Sequence, residues 1–448
     1  MLTPTVPLHG GDLLNGLHDG RIGAGPHSKG GFIVKLDRNT PKLSDEQWQR
    51  QYDKHIQKLN AKARIDDDTL FLAQVAKDVG YRTAQFGKLD TGFLTWHERV
   101  TRHGWDHYVG YYDHARAHGF YPSYLWKNGN KLPLKGNPYA NAGKRSESGK
   151  EPVGTGGETY SQNVLLNEML SFMRDHKKNH KDKPFFLYHS TQLPHGPVAI
   201  NKLHPDYINR EELTLSEKKY ASMVKMLDDH VGLIMQELKV LGMDENTIVF
   251  FTSDNGHETY YQNKQGFLPK SRKNKLMDGS QADFEKNKWR TSNGGDIFNG
   301  GAGMANMKWS AFQGGILTPM IVRMPGHIAP GTKTNRLTTH YDFLPTLASI
   351  VKSTDERIAK KDGLSYLPTL LGKESQEHNW IFVRGGKKMK GVVIDNKGWK
   401  FSQFKDGTQQ LYSLRENHLE ENNVIKQYPD VAKRLKEIFD KEFDSAWP

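Results

Sequence analysis

The sequence predicts an α/β fold, a mostly parallel sheet sandwiched by helices, with a small C-terminal α+β domain. Three observations carry that expectation. A helical period, a short apolar run and a polar rim recur in that order along residues 69–90, 160–197 and 214–257. The runs PFFLYHS at 184–190 and IVFF at 248–251 lack polar alternation, the pattern of strands covered on both faces. From residue 380 the pattern changes to the alternation of antiparallel strands. We place the α/β domain at residues 1–364 and the small domain at 365–448.

Taken in order, residues 12–20 start a short helix that ends in glycine turns, and 47–63 form a polar helix with few apolar anchors. Asp68 or Thr69 caps the next helix, whose apolar positions are Leu70, Leu72, Ala73, Val75, Ala76 and Val79 before the stop at Gly80. Residues 81–86 read as a strand, with Gly87, Lys88, Leu89 and Asp90 at its carboxyl end. Residues 104–157 mix aromatics with Gly, Asn, Lys and Pro, which predicts irregular structure and short hairpins. Val164, Leu165, Met169, Phe172 and Met173 mark a helix over 160–176. Thr214 and Glu217 have capping-box spacing, and Tyr220, Met223, Val224, Leu227, Val231, Ile234, Met235 and Leu238 continue that helix to Gly242. Residues 262–306 form a long polar insertion of the kind that is either a functional lid or disordered. A strand resumes at 317–323, a helix follows at 341–351, and a final helix at 431–443 closes the small domain.

Composition narrows the function classes. The chain has 448 residues, no cysteine and a formal charge of +12. Disulfides, thiolate zinc sites and cysteine nucleophiles are therefore excluded as encoded chemistry. No run reaches the roughly 18 apolar residues of a membrane span, so no membrane partner is expected. The positive charge favours an anionic partner, and nucleic acid, acidic glycans and sulfate or phosphate esters all qualify. With neither zinc-finger spacing nor an interleaved basic and aromatic motif, nucleic acid is not expected. Residues 1–5 contain no basic stretch leading into an apolar one, so this chain shows no secretory signal.

The chemistry concentrates after the 248–251 run, in SDNGH at 253–257. Ligands of open α/β sheets bind beyond the carboxyl ends of the strands. The Asp254 carboxylate beside the Asn255 amide oxygen suits a hard divalent cation. The same Asp-Asn-Gly also reads as an Asx-type chain reversal.

Several stretches at strand ends resemble one family, the sulfatases. FGKLDTG at 86–92 is similar to their FGKWHLG segment, PHGP at 194–197 to their PHxP, and SDNGH to their SDNG metal segment. MKWSAFQGGILTPMIVRMPG at 307–326 resembles K-x-x-x-x-E-G-G-x-R-x-P-x-I. HYDFLPTL at 340–347 and the 398–417 stretch resemble the family's later helix and C-terminal sheet, and residues 104–134 look like bacterial arylsulfatases. The resemblance implies an alkaline phosphatase-like fold and hydrolysis of sulfate esters of glycans or aryl sulfates. It also implies a calcium or magnesium ion on Asp254 and Asn255, with Lys88, His195 and Lys308 on the sulfate. Cationic donors and a metal at the non-bridging oxygens are what the transition-state charge requires. Each lysine also reads as one of 63 basic residues on a solvated surface, and His195 as a turn histidine. The basic cluster at 270–275 reads as a solvated loop.

The chain departs from the family where the nucleophile belongs. Its C/S-x-P-x-R motif lies just ahead of L-L-T-G, here LLNG at 13–16, which aligns Val6 with the nucleophile and Gly10 with the arginine. A one-residue shift aligns Thr5-Val6-Pro7-Leu8-His9 and offers a hydroxyl. None of the 20 prolines has Ser or Cys two positions before it. The family's leading strand and its aspartate pair have no counterpart in the twelve residues before Leu13. Asp90, Gln313 and Leu317 stand where the family often has His, Glu and Arg. The expectation is an N-terminally truncated or degenerate sulfatase with an incomplete metal site, periplasmic or secreted if a signal precedes it. Alternatives are a catalytically dead protein that binds sulfated glycans, and a phosphodiesterase or phosphonate hydrolase relative.

Overall fold

A computed structural model describes residues 3–4, 11–18, 32–38, 43–62, 69–88, 95–113, 116–137, 156–262, 276, 280–281, 288–385 and 389–445. The chain divides into two compact units, residues 24–247 with 351–359, and residues 1–23, 248–350 and 360–448. Thr5, Val6, Gly10, Asp90 and the basic cluster at 270–275 lie outside the described residues.

In the 24–247 unit, five strands stand in the order Asn130–Pro133, Tyr124–Lys127, His107–Tyr111, Arg82–Lys88 and Phe185–Ser190. Arg82–Lys88 runs parallel to both of its neighbours, and an antiparallel hairpin finishes one side. The core strand Arg82–Lys88 is buried along its interior, as expected for the strand between two parallel partners. Phe185–Ser190 is a strand as expected, but every residue of it is only half-buried, and among the described residues it ends the ladder with a neighbour on one side. Helix Leu215–Val240 begins with the expected capping box: Glu217 N donates to Thr214 Oγ1 at 3.2 Å and Thr214 N donates to Glu217 Oε2 at 2.7 Å. It packs on helix Ser161–Asn179.

Three histidines of this unit are held neutral by burial. His103 stacks on Phe71 at 3.7 Å, and desolvation holds it well below its ordinary value of 6.5. Burial pushes His107 and His189 down to about 4. Below 6.5 the unfolded chain takes up protons that the folded chain does not, so stability falls as pH drops from about 6.5 toward 4. Urea midpoints are expected to be lower at pH 5 than at pH 7, and equal midpoints would contradict this.

In the other unit, Val249–Thr252 pairs antiparallel with Met320–Arg323, and Thr3–Pro4 pairs antiparallel with Leu317–Thr318. The sequence reading of 248–251 as a buried parallel strand is corrected on both counts. Among the described residues its ladder partner is antiparallel, and its side chains are half-buried or exposed. An apolar run of four residues does not encode the direction of its neighbour.

Residues 365–448 supply a four-stranded antiparallel sheet, Trp380–Arg384, Met389–Asp395, Trp399–Phe404 and Gln409–Ser413 in sequential order, and the helix Pro429–Ser445. Alternation buries both faces. Phe382, Val393, Phe401 and Leu411 pack under Ala432, Leu435 and Phe439 of the helix. Ile381, Val383, Val392, Ile394 and Tyr412 point the other way, onto Ala311, Phe312, Ile316 and Leu337.

Candidate active site

The SDNGH turn is assembled by close backbone approach. Gly256 N donates to Gly315 O at 3.0 Å, and a Cβ on Gly256 would lie 2.1 Å from Gly314 O. A Cβ on Gly314 would in turn lie 2.0 Å from Asn306 O, so the SDNG glycine and the first QGG glycine are each required by a close backbone approach. Lys308 N donates to His257 O at 2.9 Å, which fixes Lys308 beside the turn. The Lys308 side chain is buried, with Nζ 3.4 Å from the Tyr260 hydroxyl and 5.7 Å from the Trp309 ring centroid. Asp254, Asn255 and Lys308 therefore belong to one local structure, as their motifs imply.

Asp254 is exposed, and Asn255 Nδ2 donates to its Oδ1 at 2.9 Å. That bond turns Asn255 Oδ1 inward, where it is buried with no hydrogen-bond partner among the described residues. An orphaned amide oxygen beside a carboxylate fits a hard cation, which would satisfy it. Among the described residues, no group of three or more His, Asp or Glu side chains is arranged to hold a metal. His340 lies alongside. Burial pushes it down to about 4, while Asp254 and a hydrogen bond to the Ser253 backbone act in the opposite direction.

The polar insertion is built into this structure through residues that sequence reasoning missed. His257 Nε2 lies 3.2 Å from Asp296 Oδ2, and Asp296 also accepts from Phe298 N at 2.9 Å, Gly300 N at 2.7 Å and the Tyr261 hydroxyl. These partners hold the Asp296 carboxyl below its usual range despite burial. A Cβ on Gly300 would lie within 2.7 Å of three ring atoms of His257, so the imidazole is covered by bare backbone. The departure at Gln313 has a physical reason. Gln313 N donates to Glu420 Oε2 at 2.6 Å, and Lys400 Nζ lies 2.6 Å from Glu420 Oε1 and 3.5 Å from Gln313 Oε1. A glutamate at 313 would set a second carboxylate against a lysine that Glu420 already neutralises.

In the 24–247 unit, Lys88 closes its strand and is half-buried. Gly87 before it has φ +103°, and a Cβ there would lie 2.2 Å from Ser190 O. Gln85 Nε2 donates to Ser190 Oγ at 2.8 Å and to Lys88 O at 3.2 Å, and Ser190 Oγ donates to Lys88 O. Lys88 is thereby tied to the strand that leads to His195. His195 N donates to Gln192 O at 2.7 Å, and Nδ1 donates to Gly196 O at 2.6 Å. The His118 ring stands edge-on to His195, 4.9 Å between centroids. His118 lies within the 104–134 stretch that looks like bacterial arylsulfatases, which singles out no one residue.

The sulfatase family model matches residues 46–353. The N-acetylgalactosamine-6-O-sulfatase of Bacteroides thetaiotaomicron is 30% identical over 294 residues, 62% of this chain and 50% of that protein. The human N-acetylgalactosamine-6-sulfatase is 27% identical over 337 residues, 74% of this chain and 54% of that protein. The chain thus spans about half the length of these relatives. A Bacteroides thetaiotaomicron structure from work on glycosaminoglycan metabolism has a TM-score of 0.59 at 23% identity, over 85% of this chain and 83% of the other. A structure holding its substrate D-glucosamine-2-N,6-O-disulfate also gives 0.59, at 14% identity over 100% of this chain and 91% of the other. At these identities the likeness is one of fold, and it agrees with the α/β, alkaline phosphatase-like architecture expected from the sequence. The family model covers more than half of the chain, and the chain belongs to the sulfatase family.

Proposed function

We propose that this chain carries the sulfate-ester site of a sulfatase and acts on a sulfated carbohydrate or an aryl sulfate. The observation that carries the reading is the Asn255 Oδ1 orphan beside Asp254, at the family's metal segment. Asp254 and Asn255 would hold calcium or magnesium, which when bound supplies positive charge to the ester oxygens. Lys88, His195 and Lys308 would donate to the non-bridging sulfate oxygens. Burial of Lys308 strengthens such a contact by removing competing water. The names of the relatives favour a 6-sulfated N-acetylhexosamine as ligand.

Hydrolysis further requires a nucleophile, and the chain contains no Ser or Cys two residues before a proline. Binding without appreciable turnover is accordingly the expected behaviour of the 448-residue chain, since loss of a nucleophile leaves only binding and electrostatic effects. The test is hydrolysis of an aryl sulfate by the purified chain and by Thr5→Ala and Ser28→Ala. Negligible release in all three is expected. A rate lost in Thr5→Ala and kept in Ser28→Ala would overturn the inactive reading in favour of a threonine at the nucleophile position.

A further inference from the structure

We propose that His118 is a second imidazole contact for the anionic ester, forming with His195 one donor pair. The inference rests on the role proposed for His195.

One buried residue fixes the backbone at both histidines. Gln192 is 4% exposed, and its Nε2 donates to Ala117 O and, at 3.3 Å, to Gly119 O, the two carbonyls that flank His118. Its own backbone carbonyl accepts from His195 N. Its Oε1 accepts from the Tyr111 hydroxyl and Gln162 Nε2, and Gln162 Oε1 accepts from Gln192 N at 3.2 Å. A fully hydrogen-bonded buried network of this kind specifies one geometry.

The His118 segment is anchored from its other side as well. Arg116 is fully buried, pairs with the Asp37 carboxylate and lies 4.2 Å from the Tyr124 ring centroid. Ala117 N donates to Asp113 O at 3.1 Å, and Gly119 N donates to Arg116 O at 3.1 Å. The two rings meet at 72°. Two such imidazoles repel when both are charged, and a divided anion such as a sulfate ester relieves that repulsion while accepting from both. Because the backbone that carries both rings is already ordered, the pair gains affinity through pre-organisation.

The test is calorimetric titration of the full chain with N-acetylgalactosamine 6-sulfate in the presence of calcium, alongside urea midpoints. His118→Ala is expected to weaken binding roughly 10-fold or more, with the midpoint unchanged and partial recovery in His118→Gln. The double variant with His195→Ala should lose less than the product of the single losses, because both rings serve one ester. If His195→Ala weakens binding and His118→Ala does not, this inference fails and the sulfate-ester reading survives. If His195→Ala binds like the unmodified chain, the sulfate-ester role of His195 fails and takes the inference with it. A loss in His118→Ala that tracks a lowered midpoint and is not recovered by glutamine would make His118 a packing residue and overturn the proposal.

Discussion

Glu420→Ala is expected to cost about 3–5 kcal/mol of folding stability, the range for breaking a buried ion pair from one side. Lys400 and Glu420 are both 0% exposed and lie 2.6 Å apart. Burial lowers the Lys400 pKa, and Glu420 opposes that shift. Removing the carboxylate strands a buried ammonium and also takes the acceptor from Gln313 N. The damage would reach the QGG turn that supports Gly256. Replacing both partners with Lys400→Met and Glu420→Leu should recover much of the loss, because no lone charge remains, although Gln313 N still lacks its acceptor. Exposed Glu421→Ala serves as the control, expected within about 0.5 kcal/mol of the unmodified chain. Denaturant midpoints check the series. A change below about 1 kcal/mol in Glu420→Ala would show that the pair is not the buried bridge described.

Asp254→Ala is expected to weaken calcium and magnesium binding by roughly 100-fold or more, above the range seen when only an outer partner of a metal ligand is removed. Asp254 supplies the negative charge of the pair and also orients Asn255 through the 2.9 Å bond from Nδ2. Alanine removes both effects. Asp254→Asn keeps an acceptor for that bond while losing the charge, so its affinity should fall between the two. Competition against a fluorescent chelator measures all three. Alanine binding within about threefold of the unmodified chain would place the cation elsewhere.

Local patterns carried the legible part of the fold. Thr214 and Glu217 mark the start of a helix that runs from Leu215 to Val240, and the alternation after residue 380 marks the four-stranded sheet. Both signals lie within one element and need no partner to be read. The direction of Val249–Thr252 and the partial exposure of Phe185–Ser190 depend on what stands beside each strand, which the runs themselves do not contain. The site divides in the same way. Asp254, Asn255 and Lys308 sit in recognisable motifs, and the backbone bond between His257 and Lys308 brings two of those motifs together. Asp296 and His118 were not legible, because their contacts to His257 and His195 join segments 39 and 77 residues apart, by subtraction of positions in the chain. Glu420 was likewise hidden, since packing of the small sheet brings it to Lys400.

One titration tests directly whether the chain holds a cation-dependent site for a sulfate ester. The full chain is titrated with N-acetylgalactosamine 6-sulfate and with unsulfated N-acetylgalactosamine, each with calcium and with a chelator. Heat of binding is expected only for the sulfated sugar, with at least roughly 10-fold loss of affinity when calcium is removed. Equal binding of both sugars, or binding of the sulfated one indifferent to calcium, would show that no such site exists.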